Sequence, residues 1–199
     1  MIRPQDYEWA EELAVKKLRS IGRIADNAPT YYTTLTSDIQ HLLTQTVSPT
    51  ALYLRTQPDL ISILPTSKIP VFLFEVKSWK HPTGNLPIEA FPFGVSHILS
   101  NCNINILYLA VKDENEIRGE FVQKIKNPEE IRVPFERWAD DERERLKRHI
   151  NTLFPECKIS DVPWRGGSGD PYFLIPKTEV EGWSLVENIE TIKQLQIGE

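Results

Sequence analysis

The chain has 199 residues, 40% hydrophobic and 26% charged, a balance typical of a folded globular protein and not of a disordered one. Its formal net charge of −5 argues against the broadly basic surface of histone-like proteins, while leaving room for a local basic groove. We see no apolar run long enough to span a bilayer and no signal-peptide pattern at the N-terminus, so we expect a cytoplasmic protein without a membrane partner.

The first half of the chain predicts a helix, a strand hairpin, a second helix and a buried strand. Residues 5–21 carry apolar side chains at helical spacing, and Gly22 follows as a stop. The runs "LISIL" and "VFLFEVKSW" are typical of strands, and "PTSKIP" between them indicates a turn. "HPTGNLP" predicts a loop, "FGVSHILSN" a helix, and the almost wholly apolar "INILYLAV" a central strand. Shorter segments between residues 30 and 56 predict two strands and a helix.

The second half of the chain is more charged. "KDENEIRGEFVQKIKNPEE" predicts mainly loop with room for one short strand, and "PFERWADDERERLKRHINTLF" predicts a helix with Pro134 in its first turn. "PWRGGSGDPYFLIP" predicts a glycine-rich loop with a strand, and "SLVENIETIKQLQ" a final helix. Together the elements predict an α/β fold, a mixed β-sheet flanked by helices. We divide it into a core over residues 1–115 and a C-terminal α/β extension over residues 116–199, packed together as one domain.

Two charged residues, Glu75 and Lys77, lie inside the apolar run "VFLFEVKSW". Side chains alternate along a strand, so both face the same side, although the strand is otherwise apolar on both faces. If the hairpin turns symmetrically about Ser67, Asp59 falls directly opposite Glu75. Two opposed carboxylates repel each other unless a cation lies between them, and Mg²⁺ binds a few carboxylates plus water. The pattern therefore predicts a small metal site with a lysine beside it.

These residues carry a resemblance to a known family. Pro58 and Asp59, followed by "EVK" in an apolar strand, resemble the PD-(D/E)xK signature of nucleases with the restriction-endonuclease-like fold. The resemblance implies that Asp59 and Glu75 bind Mg²⁺ and that Lys77 assists the attacking water. The helix "EELAVKKLRSIG" is similar to that of archaeal Holliday-junction resolvases, which implies a supporting role for Glu11. The carbonyl of Val76 is a candidate further metal ligand.

The sequence thus predicts a metal-dependent endonuclease that hydrolyses phosphodiester bonds in DNA, with Mg²⁺ as cofactor and Mn²⁺ as a substitute. The expected partner is duplex or branched DNA, in restriction, recombination, repair or mobile-element and viral DNA processing. A homodimer is expected by analogy alone. Two alternatives stay open: a nucleic-acid-binding or interaction module that keeps the nuclease fold without catalysis, and an α/β protein in which Glu75 and Lys77 form a structural ion pair.

Overall fold

The computed structural model describes residues 5–28, 36–39, 58–63, 72–102, 104–164 and 169–188. The strands are β1 (Ile24–Asn27), β2 (Leu60–Ile63), β3 (Phe72–Ser78), β4 (Leu86–Glu89), β5 (Ile106–Val111), β6 (Ile117–Phe121), β7 (Glu130–Pro134), β8 (Lys158–Val162), β9 (Tyr172–Ile175) and β10 (Ser184–Leu185). The longer helices are α1 (Gln5–Ser20), α2 (Ala90–Ser100), α3 (Asp140–Leu153) and α4 (Lys177–Gly182). Short 3₁₀ turns cover Val122–Lys124, Phe135–Arg137 and Val186–Asn188.

The described strands form two mixed sheets. The larger has six strands in the order β1, β2, β3, β5, β6, β10, and the smaller has four in the order β4, β9, β7, β8. In the larger sheet β3 and β5 run parallel, while β2 and β6 flank them antiparallel. All six residues of β5 are buried, as expected for a strand at the centre of a sheet covered on both faces.

Two hydrophobic clusters lie on opposite faces of the larger sheet. Helix α1 covers one face with Ala10, Ala14 and Leu18, which recur at helical spacing and are buried against Phe74. Helix α2 lies in the cluster on the other face, where strands of the smaller sheet also contribute. The buried charged strand β3 therefore has apolar layers above and below it.

The predicted α/β class, with sheets flanked by helices, is confirmed. The first helix, the strand hairpin, the second helix and the buried strand are also found where the sequence predicts them. Helix α1 ends before Gly22, whose φ of +86° is in the left-handed region that favours glycine. Within the described part of the chain, no helix combines the length and apolar character needed to cross a membrane.

Other predictions of secondary structure were wrong. Pro134 ends β7, and α3 begins only at Asp140, because the acidic first turn suits the helix N-terminus and Glu142 accepts a hydrogen bond from the Ala139 N–H. The segment predicted as a loop contains β4, an edge strand of its sheet that tolerates Pro87. The charged segment after β5, by contrast, contains β6, the short strand for which its prediction left room.

Some predictions fall outside the described residues. These include the strands predicted between residues 30 and 56, most of the helix predicted between them, and residues 189–196 of the predicted final helix. The described start of that last segment forms β10 and a 3₁₀ turn. Strands from beyond residue 115 take part in both sheets, and the division of the chain at residue 115 stays a prediction.

Candidate active site

Strand β3 separates its side chains as the sequence predicts. Leu73 and Trp79 lie in the hydrophobic cluster on the α2 side, whereas Phe72, Phe74 and Val76 lie in the cluster on the α1 side. Glu75 and Lys77 alternate along the strand with Phe74 and Val76, so they lie on the same face as Leu73. The charged pair of the strand therefore lies at the α2 face, next to β4 and β5.

Asp59 enters the site through the predicted hairpin register. Leu60 pairs with Phe74, and the pairs that follow keep the symmetry about residue 67, so the predicted register is confirmed along β2. Asp59 itself is one residue before the strand. The pairing of β2 with β3 begins at Leu60 and Phe74, so the Val76 N–H lies beyond the end of this ladder. It donates a hydrogen bond of 2.7 Å to a carboxylate oxygen of Asp59. The carboxylate of Asp59 is thereby fixed against the main chain between Glu75 and Lys77.

Lys77 is the centre of the charged cluster. Its Nζ lies 2.9 Å from Oε1 of Glu75 and 2.7 Å from Oε2 of Glu89. The side chains of Lys77 and Glu75 are only 16% and 9% exposed, so this is a buried ion pair and not a surface one. The Glu89 side chain is 35% exposed and closes the cluster toward solvent.

Glu89 is the residue that the sequence prediction missed. It is the last residue of β4 and directly precedes α2, in a stretch where Pro87 and its neighbours indicate a loop. The available signal was weak: an acid preceding a predicted helix is common, because negative charge is favourable at a helix N-terminus. Only the packing of β4 beside β3 places this carboxylate at Lys77.

Glu11 of α1 interacts electrostatically with the same cluster. Burial raises the pKa of Glu11, repulsion from Glu75 raises it further, and attraction to Lys77 opposes the shift. The residue is half-buried, one turn before Ala14 and Val15 on the helix. The structure thus brings Glu11 near the predicted site, and its supporting role stays a prediction.

Two carboxylates of the cluster, Glu75 and Asp59, have pKa values above the usual range. Burial raises the pKa of Glu75 to about 7, attraction to Lys77 opposes the shift, and repulsion from Asp59 adds to it. Burial also raises the pKa of Asp59, against the opposing effects of Lys77 and the Val76 hydrogen bond. Two neighbouring acids with elevated pKa values are a common feature of functional sites.

The other two charged groups shift toward their charged forms. Burial lowers the pKa of Lys77, but the carboxylates of Glu75, Glu89 and Asp59 outweigh it and hold that pKa well above its usual value. Burial raises the pKa of Glu89, but the ammonium of Lys77 outweighs it and leaves that pKa low. Lys77 is therefore a cation at all physiological pH values, surrounded by more acid than it can neutralise.

Tyr108 of β5 forms the floor of the site. It pairs in register with Glu75 across the parallel ladder and is completely buried. Burial, followed by repulsion from Glu75, raises the pKa of its phenol well above the usual value. The hydroxyl therefore stays protonated beside the acids.

The acids fit a divalent cation by charge. Asp59, Glu75 and Glu89 lie around one lysine. The carbonyl and the N–H of Val76 point to the same edge of the strand, and Asp59 accepts a hydrogen bond from that N–H. Oxygen ligands of this kind suit Mg²⁺ and Mn²⁺. In the arrangement seen here, however, no three His, Cys, Asp or Glu residues among the described ones are grouped as a ready metal site. Lys77 lies between Glu75 and Glu89 instead.

Comparison with known proteins gives a remote likeness. No protein-family model and no curated protein matches the chain. Among solved structures, it is similar to that of Archaeoglobus fulgidus Hjc, a Holliday junction resolvase from an archaeal hyperthermophile. The identity is 13% and the TM-score 0.40, over 62% of this chain and 79% of that chain. At this distance the chemistry of the site has to be inferred from its own residues.

Proposed function

We propose that the protein is a metal-dependent nuclease that hydrolyses phosphodiester bonds in DNA, duplex or branched. The observation that carries the proposal is the buried cluster in which Asp59, Glu75 and Glu89 lie around Lys77. Buried charge is costly unless it is paired or binds a ligand, and here the acids exceed the bases. An excess of buried carboxylate beside a lysine suits a cation and a phosphate, each of which neutralises one part of the cluster.

Each residue has a distinct role in this proposal. Asp59 and Glu75, with the Val76 carbonyl, hold Mg²⁺ or Mn²⁺, which when bound polarises the phosphate and supplies an activated water. The ammonium of Lys77 orients the attacking water and neutralises negative charge as it grows on the phosphate. Glu89 is a positioning residue: its ion pair fixes Lys77 beside Glu75. Glu11 adds negative charge at the edge of the site.

The test of the activity is a cleavage panel. End-labelled duplex, four-way junction, flap, single-stranded DNA and RNA are incubated with the protein in Mg²⁺, in Mn²⁺ and in EDTA. We expect cleavage of at least one DNA form with either metal and none in EDTA. Light scattering on the same preparation tests the homodimer that two cuts in two strands would favour.

Variants of the cluster connect the activity to the site. Asp59→Asn keeps an oxygen that accepts the Val76 hydrogen bond while removing the charge, so folding should be preserved. Glu75→Ala and Lys77→Ala remove the other two groups. We expect each to lower the cleavage rate at least about 100-fold, since even the outer-shell partners of a metal ligand typically contribute about 10–100-fold. Glu156→Ala, an exposed residue in a turn, is the matched control.

Melting curves of each variant separate a lost activity from a lost fold. If the three site variants melt like the control and cleave as fast as the wild type, the proposed site is wrong. If Glu75→Ala and Lys77→Ala melt much earlier, the cleavage rate of Asp59→Asn decides, because this variant alone keeps the hydrogen bond and the side-chain volume.

A second candidate function rests on the ion pairs themselves. Lys77 contacts Glu75 at 2.9 Å and Glu89 at 2.7 Å, so the cluster is internally paired and suits a module that keeps the fold without catalysis. This candidate predicts that no nucleic acid is cut in any metal and that Mg²⁺ leaves the melting temperature unchanged. Retention of DNA binding under those conditions would favour a binding module over the nuclease.

A further inference from the structure

A cleft of about 500 Å³ opens at the end of β3, a few residues beyond the acidic cluster. Among the described residues, its charged lining is formed by Lys80, Lys112 and Lys177, with His81 beside them and without an Asp or Glu. The whole chain, by contrast, has 28 acidic residues against 23 lysines and arginines. The cleft therefore gathers three lysines at one place on an acidic protein.

The three lysines come from three separate elements that meet at one edge of the fold. Lys80 follows β3, Lys112 follows β5, and Lys177 begins α4. Since β3 and β5 are parallel, their carboxyl ends lie at the same edge of the sheet. Ligands of open α/β sheets commonly bind in the crevice outside the carboxyl ends of such strands.

The wall of the cleft is built by the loop after β3. The Trp79 indole N–H donates a hydrogen bond to the Gly84 carbonyl, which folds the loop back on the buried ring. Gly84 has a φ of +76°, and the stem of Lys177 packs directly against it: a Cβ there would lie 2.8 Å from the Lys177 Cδ. The Lys177 N–H donates to the Asn85 side chain at 3.1 Å. These contacts hold Lys177 at the cleft.

The ammonium groups are available to a stronger anion. Lys112 pairs with Glu116, and Lys177 pairs with Glu181 at 3.4 Å; both lysines are at least half exposed. Exposed pairs of this kind contribute only about 0–1 kcal/mol, so a polyanion can replace them. Lys80 is exposed, with its Nζ 3.6 Å from the centre of the Trp9 ring.

The position of the cleft relative to the acidic cluster suggests its ligand. Trp79 directly follows β3, and a fully extended chain advances about 3.3 Å per residue, so Lys80 lies at most roughly 10 Å along the chain from Lys77. A phosphate backbone whose scissile group lies at Lys77 would therefore extend over the lysines.

We propose that the lysine cleft binds the phosphate backbone of the nucleic acid next to the bond that is cut. The proposal rests on the proposed nuclease function, because the same site defines which bond is cut. It assigns to Lys80, Lys112 and Lys177 a binding role that is independent of metal and of the acidic cluster.

The test measures binding in EDTA, where no metal-dependent cleavage occurs. The triple variant Lys80→Gln, Lys112→Gln, Lys177→Gln is compared with the wild type by fluorescence anisotropy on short labelled duplex and single-stranded DNA. A control triple variant removes the same charge from lysines that are exposed elsewhere: Lys124→Gln, Lys126→Gln, Lys158→Gln. All six positions are exposed, and equal melting temperatures verify folding.

We expect the cleft variant to bind at least about 30-fold more weakly than the control variant near 0.1 M salt, because each neutralised phosphate contributes about 0.9 to the salt slope. The slope of log affinity against log salt should fall by about 2–3 in the cleft variant alone. Equal losses in the two triple variants, or no loss in either, would overturn the proposal.

The same preparations distinguish this proposal from the nuclease itself. If the wild type cuts DNA with Mg²⁺ and the cleft variant cuts with an unchanged KM, the lysine cleft is wrong and the nuclease stands. If the cleft variant alone loses binding but the wild type never cuts, the cleft stands and the nuclease is wrong. A wild type that binds no nucleic acid at low salt overturns the cleft directly.

Discussion

Replacement of Lys77 by Met tests whether the acidic cluster depends on its single lysine. Met keeps most of the length and apolar volume of the lysine stem, so the change removes mainly the ammonium. In the wild type that ammonium lies 2.9 Å from Glu75 and 2.7 Å from Glu89. Its loss leaves the Glu75 carboxylate, only 9% exposed, without a nearby counter-ion.

The expected cost depends on pH because Glu75 can take up a proton. Removing one partner of a buried pair costs about 3–5 kcal/mol, but Glu75 can take up a proton and the 35% exposed Glu89 carboxylate can turn to water, so we expect about 2 kcal/mol near pH 8. The pKa of Glu75, already about 7 beside the lysine, rises further without it. Each further unit by which the pKa of Glu75 rises lowers the free energy of unfolding by about 1.4 kcal/mol at pH values above the new pKa. Well below pH 7 Glu75 is protonated in both proteins, so the shift costs nothing there. Near pH 5 the loss should therefore be at most about 1 kcal/mol.

The assay is urea unfolding at both pH values, with Lys147→Met as the matched control. Lys147 also bridges two carboxylates, Glu144 at 3.1 Å and Asp161 at 2.8 Å, but those are 57% and 39% exposed. We expect the control to lose less than about 1 kcal/mol at either pH. A Lys77→Met protein as stable as the wild type near pH 8, or equally destabilised at both pH values, would refute the reasoning.

Four further outcomes are expected. Glu75 should contribute a fall of about 3 kcal/mol to the wild-type free energy of unfolding between pH 4.5 and 7, because its folded pKa is about 7 against an ordinary 4.5, and urea titrations of Glu75→Gln should lack this contribution. Saturating Mg²⁺ should raise the melting temperature of the wild type relative to EDTA, equivalent to about 2.7 kcal/mol at 100-fold excess over Kd, and should not raise that of Asp59→Asn. Phe93→Ala should lower the free energy of unfolding by about 3–5 kcal/mol in urea, since the buried ring packs on four other aromatic rings. Gly84→Ala should cost more than about 1 kcal/mol by thermal unfolding, because φ is +76° and the new Cβ would meet the Lys177 stem.

Much of the candidate site can be predicted from the sequence because Asp59, Glu75 and Lys77 lie close together in the chain. Alternation along one strand places Glu75 and Lys77 on a common face, and the symmetric hairpin brings Asp59 beside them. Both inferences need only the two-residue period of a strand and the symmetric pairing of β2 with β3. The first helix follows for the same reason, since its apolar spacing and Gly22 are both local signals.

The sequence did not reveal the long-range partners of these residues. Glu89 reaches Lys77 only because β4 packs beside β3, and β4 is an edge strand whose proline reads as a loop. The start of α3 depends on the acidic turn after Ala139, which competes with the helix-starting tendency of Pro134. Patterns along the chain therefore determined which acids and which lysine meet in the hairpin. Only the tertiary structure decided that a third acid completes the cluster and that Lys112 and Lys177 meet Lys80 at one cleft, because burial and charge depend on neighbours far apart in the chain.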